Sequence, residues 1–366
     1  MLDVLVTSIN AVLPIILLIL LGYLLKRFKV LNDNFVKIGN KFVFKICLPC
    51  MLFINIYDGM DGFADIRWDV VIYSVTAICV IFGLGLVTAI LTTKKQSRRG
   101  VILQCTFRSN FAIIGLALVE SLGGDKGLAS IISAFSIPIF NILAVISLTV
   151  FAEAEPIAGD AVGWTDAVNA EQTGTEQPYL EVKTVKPKHG IKIILLNIVK
   201  NPLIIGVFIG LVFVGIREIE RACCNGEVVF SFKEHLKFLY TCTGSLKAIA
   251  SPLALIVLGG QFRFDAVKGM TKEIVVGTVW RVLLAPLIGI GVAVLLSMYT
   301  DLFTFGADVY PTLIALFGTP VAVSSAIMAG EMKSDEQLAT QLVVWTSLCS
   351  IATIFVTVFI VGLLTV

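Results

Sequence analysis

Charge is scarce in this chain. Lysine, arginine, aspartate and glutamate make up 15% of its 366 residues, 57% are hydrophobic, and the mean hydropathy is +0.94. That leaves too little polar surface to clothe a water-soluble globule and implies an all-α polytopic membrane protein. The net charge of +2 is nearly balanced, so nothing points to nucleic acid as a partner. Histidine is almost missing: His189 and His235 lie in or next to polar loops. No His-Glu-x-x-His pattern, phosphate-binding glycine loop or pair of membrane aspartates occurs. We therefore expect no metal, no cofactor, no enzyme chemistry and no primary pumping. Of the eight cysteines, only the adjacent Cys223 and Cys224 lie in a polar loop. The others fall in or beside apolar runs, where cysteine behaves as a small hydrophobe.

A bilayer core takes about 20 apolar residues per helix. On that ruler the chain has about ten spans, near residues 4 to 25, 36 to 57, 69 to 92, 100 to 122, 127 to 151, 191 to 215, 236 to 261, 272 to 298, 309 to 331 and 338 to 364. Asp3 precedes the first run and Lys26, Arg27 and Lys29 follow it, the reverse of a signal peptide's order. Lysine and arginine then dominate the connections after spans one and three, whereas Asp58, Asp61, Asp65 and Asp69 dominate the one between. By the positive-inside rule both termini face outward from the inner membrane, which they flank. A polar stretch at 153 to 190 reads as a flexible cytoplasmic linker, with too few large apolar residues to form a core. It divides residues 1 to 152 from 191 to 366, five spans from five. Because five is odd, the second half must enter the membrane upside down, the arrangement of an inverted repeat.

Echoes between the halves agree with this. Pro14 is followed by Gly22 in span one, and Pro202 by Gly210 in span six. Lys45 stands just before Pro49 in span two, and Lys247 just before Pro252 in span seven. Spans four and nine are both interrupted by polar and helix-breaking residues, the first from Gln104 through Arg108-Ser109-Asn110 to Gly115, the second at Gly318-Thr319-Pro320 followed by Ser324-Ser325. An unpaired backbone group in hydrocarbon costs several kcal/mol, so helices break there only where protein or a wet cavity satisfies them. A matched pair of such breaks points to a transporter's binding site.

Asn110 offers both donor and acceptor at its break, and the half-helix after it presents amides and a positive dipole end. Thr319 or Ser324 could serve opposite it, with Pro320 opening the second half-helix. Two such helix starts make a site for a carboxylate. Ser109 and Gly115 belong to the same break, and Asn55 and Asn141 either line the cavity or join helices. The intramembrane cations are Lys45, Arg108, Lys247 and Arg281, an excess suited to an organic anion. Each also has a structural reading: the lysines snorkel to headgroups, and the arginines hydrogen-bond carbonyls freed by the breaks. Glu120 and Glu331 are the acids placed to carry a proton, though both also suit interfaces.

Together these motifs resemble the auxin efflux carrier family, in its bacterial organic-acid permease branch. The resemblance rests on Leu48-Pro49 with Phe53, Arg108-Ser109-Asn110 through Gly115-Leu116, Lys200-Asn201-Pro202, Ser251-Pro252 through Gly259, Thr319-Pro320 through Ala329, and the run from Asp335 to Ser350. It implies two inverted five-helix repeats with broken, crossed helices four and nine. Helices 1, 2, 6 and 7 would form a scaffold, often homodimeric, and helices 3 to 5 and 8 to 10 a transport domain moving as an elevator. Substrates would be organic acids such as malate or malonate in bacteria and auxin in plants. The family's crossover asparagine corresponds to Asn110 and its ninth-helix proline to Pro320, whereas Ala117 stands where many relatives have proline. The sequence thus indicates a secondary carrier of a small carboxylate, with coupling to protons or sodium left open. Two other readings remain at this point: a sodium-coupled symporter of bulkier, bile-acid-like anions, and a carboxylate-binding receptor or channel.

Overall fold

The computed structural model describes residues 2–60, 62, 66–152, 195–196, 198–224, 227–263, 265–300, 305–306 and 308–364, and the stretch assigned as a linker lies outside them. Among the described residues the chain is helical without a strand. The helices are α1 (Leu2–Arg27), α2 (Asp33–Gly59), α3 (Trp68–Thr92), α4 (Gln96–Phe107), α5 (Leu116–Ser121), α6 (Lys126–Val150), α7 (Pro202–Cys223), α8 (Phe232–His235), α9 (Lys237–Gln261), α10 (Thr271–Tyr299), α11 (Tyr310–Gly318), α12 (Val323–Glu331) and α13 (Glu336–Leu364). Seven of them, α2, α3, α6, α7, α9, α10 and α13, are long and apolar enough to cross a membrane.

Local chemistry sets the helix ends. Asn32 accepts from the Phe35 amide at 2.7 Å and Asp125 from the Gly127 amide at 2.7 Å, each satisfying a first-turn donor. The long helix of the sixth span begins at Pro202, after helical residues at 195–196 and 198–199, and the expected start near 191 lies outside the described residues. Asn201 caps it, accepting from the Leu203 amide at 2.9 Å, and proline at the first helical position has no amide to lose. Proline also explains two wide turns. Residues Val43–Cys47 precede Pro49 and Trp280–Leu284 precede Pro286 as π-helical turns, which reroute the bonds that a proline's missing amide cannot make.

Two helix pairs approach closely through glycine. A Cβ on Gly22 of α1 would collide with the Ile256 backbone of α9, and one on Gly259 with Ile19 of α1. Likewise, a Cβ on Gly206 of α7 would run into the Pro49 backbone of α2. Without a hydrophobic force between helices in lipid, such small-residue contacts supply the packing that holds them. The larger buried apolar cluster extends from Ile15 in α1 to Val361 in α13, so both halves share a core, and a smaller one joins Phe53, Ile54 and Tyr57 of α2 to Phe232. On one polar end, Arg98 of α4 bonds Glu273 at 2.8 Å and Asp335 at 3.1 Å, tying α4, α10 and the start of α13.

Candidate functional site

The fourth and ninth spans are each interrupted. Chain leaves α4 at Arg108, runs extended to Asn110, turns once through Phe111–Gly115 and continues as α5. The other leaves α11 at Thr319 and stays extended to Ala322 before α12 begins. Thr319 is extended because the residue before a proline is driven from the helical region. Pro320 accordingly lies inside the extended link, not in the first turn of α12 as expected from its sequence.

These two links satisfy each other. The Asn110 amide donates to the Pro320 carbonyl at 2.8 Å and the Ala322 amide to the Arg108 carbonyl at 3.2 Å, an antiparallel bridge centred on Ser109 and Val321. Arg281 of α10 takes up the carbonyls that the broken helices release. Its Nη2 donates to Phe317 at 2.5 Å, its Nε to Thr319 at 3.0 Å and its Nη1 to Thr106 at 3.3 Å, and it is 0% exposed. One planar fork thus closes both helix ends.

Arg108 has a different task. It is 3% exposed and its Nη2 donates to Asn141 Oδ1 at 2.7 Å and Ser324 Oγ at 3.0 Å. Its Nη1 faces Met328 Sδ at 3.2 Å and, with the Gln104 amide turned to suit its neighbours, Gln104 Oε1 at 3.1 Å. Each of these acceptors is neutral, and no ion pair to Arg108 occurs among the described residues. Burying a cation costs several kcal/mol even after relaxation, so this guanidinium is held in place without being neutralised.

Beside it lies a cavity of about 40 Å³, room for a few water-sized groups. Arg108, Ser109, Asn110, Asn141 and Ser324 form its polar wall. Leu48, Met51 and Leu52 of α2, Leu203 of α7 and Ala254 of α9 give an apolar part of the lining, and Ala112, Ile137 and Phe140 add apolar surface from the segments that carry the polar groups. Ser109 Oγ and Asn110 Nδ2 are buried with no partner among the described residues. Helix α12 starts at Val323 with no side chain capping it, and Val323 and Ser324 of its first turn line the cavity, whereas the Ser325 amide is bonded to the Ala322 carbonyl at 2.9 Å.

A family model for membrane transport proteins matches residues 7–359. The chain belongs to that family. This is the auxin efflux carrier and membrane transport family that the motifs indicated. No curated protein matches the chain.

For a membrane transport protein, the remaining candidates divide by position. Thr319 is fully buried with its hydroxyl donating to Ala315, and neither it nor Pro320 lines the cavity. Gly115 packs on the Phe111 ring, also outside the lining. Asn55 is half-buried on α2 away from the cavity, Lys45 is exposed in the wide turn before Pro49, and Lys247 is half-buried on α9. Glu120 pairs with Lys126 at 2.6 Å on the surface, and Glu331 lines a separate cavity with Glu336. Sequence reasoning missed Gln104 and Met328 as neighbours of Arg108. Both carried a signal, since each stands four residues, one helical turn, from Arg108 or Ser324. The apolar wall had none.

Proposed function

We propose that this protein is a secondary carrier that binds a small organic anion by its carboxylate at the paired breaks and moves it by alternating access. The observation that carries the reading is Arg108, a buried cation with only neutral partners beside the unpartnered donors of Ser109 and Asn110. An anion entering the cavity would supply the missing charge and acceptors together. The helix starts after each break add favourable dipole ends, as at other anion sites.

The architecture supports an elevator. The seven long helices, α1 and the two interrupted spans supply the ten crossings of this reading, and the bridge between Ser109 and Val321 supports crossed fourth and ninth helices. Gly22 sits at the crossing of the first and seventh spans, and Gly206 at that of the sixth and second, the exchange that an inverted repeat requires. The polar cavity wall comes from the fourth, fifth and ninth spans and the apolar wall from the second, sixth and seventh. A featureless apolar face is what a moving polar site can slide along. In this reading spans 1, 2, 6 and 7 also form the homodimeric scaffold, both termini lie outside the inner membrane, and protons or sodium couple transport.

Counterflow in proteoliposomes tests the proposal. A preloaded unlabelled acid should drive transient uptake of the labelled acid, and Asn110→Ala and Arg108→Gln should lose it while remaining folded. Uptake unchanged in both variants would overturn the site, and absence of counterflow beside intact binding would indicate a receptor.

A further inference from the structure

We infer that the cavity selects a short aliphatic monocarboxylate over the corresponding dicarboxylate, because among its described lining residues Arg108 is the one charged group and the lining from α2, α7 and α9 is apolar. This deepens the transport reading and rests on it. The donor-bearing residues of the polar lining include Arg108, Ser109 and Asn110, and Ser109 Oγ and Asn110 Nδ2 are without a partner among the described residues. A carboxylate offers about four lone-pair sites, so one such group uses this set. The other intramembrane arginine, Arg281, is committed to three backbone carbonyls and lies outside the lining.

The lining from α2, α7 and α9 is Leu48, Met51, Leu52, Leu203 and Ala254. The far end of a three- or four-carbon acid that reaches this surface rests on hydrocarbon. A methyl group there is buried favourably. A second carboxylate there would be stripped of water against hydrocarbon with no cation or donor to compensate, a penalty that excludes it. The dicarboxylates that the family resemblance brings to mind are therefore the disfavoured class for this chain.

The test is competition of propionate, malonate and monomethyl malonate for labelled propionate counterflow, with isothermal calorimetry on the purified protein in detergent. Propionate should bind at least tenfold more tightly than malonate. Monomethyl malonate, larger than malonate but carrying one charge, should recover most of that loss, which separates charge from size. Leu52→Lys adds a second cation to the apolar wall and should narrow or reverse the preference. Malonate binding as tightly as propionate to the unaltered protein would overturn the inference and leave the carrier reading standing. Counterflow with none of the acids would instead remove the carrier reading, and this one with it.

Discussion

Two buried arginines in the same membrane protein should fail in opposite ways when replaced. Arg281 makes three hydrogen bonds to backbone carbonyls, at 2.5, 3.0 and 3.3 Å. Bonds to a charged donor are worth about 1.5 to 3 kcal/mol each, so Arg281→Met forgoes roughly 5 to 9 kcal/mol and orphans carbonyls on both α4 and α11. Removing a buried cation returns part of this, several kcal/mol of desolvation, leaving a net loss of about 2 to 5 kcal/mol. Arg281→Lys should fall between, because one ammonium cannot span three carbonyls held by a fixed fork. Arg108→Gln has a different profile. Its acceptors Asn141 and Ser324 border a cavity that water can enter, so stability should change by less than about 1 kcal/mol. Anion binding should weaken by about 2 to 5 kcal/mol, roughly 30-fold to several thousandfold in half-saturation. Thermal unfolding in detergent and counterflow on the same preparations separate the two. If Arg281→Met unfolded at the wild-type temperature yet lost uptake, the division of labour between the arginines would be refuted.

Asn141→Asp places a carboxylate where an oxygen now accepts from Arg108 at 2.7 Å. The resulting internal ion pair should replace the substrate and reduce uptake at least about 100-fold with the fold intact, since a close charged pair is worth several kcal/mol; normal uptake would show that the cation is not used for binding. Gly22→Val drives a side chain into the Ile256 backbone and should cost about 1 to 3 kcal/mol or more, seen as a lower unfolding temperature. Gly215→Ala in α7, where an added Cβ meets nothing within 4 Å, should instead be neutral or stabilising by up to about 1 kcal/mol. Arg98→Ala leaves Glu273 and Asp335 without their shared partner, although Lys95 stays near Asp335 at 3.7 Å. The expected cost is about 1 to 3 kcal/mol, and a double-mutant cycle with Glu273→Gln should show coupling between the two sites.

Hydropathy alone determined that this chain enters a membrane and where most of its helices run, because each helix must satisfy its own backbone in lipid whatever its neighbours do. The two interruptions were legible for the same reason: Asn110 and Pro320 disfavour a continuous helix locally. Even there, Pro320 sits in the link and not at the helix start, since the bridge to Asn110 holds the chain extended past it. What no local rule could assign was the work of each polar residue. Arg108 and Arg281 look alike in sequence, one charge in one apolar span. Most of their partners come from 33 to 220 residues away, and only the packing of those segments makes one arginine a clamp on helix ends and leaves the other beside a cavity without a counter-charge among the described residues. Charge type is written residue by residue, whereas its solvation and its partners belong to the assembled tertiary structure.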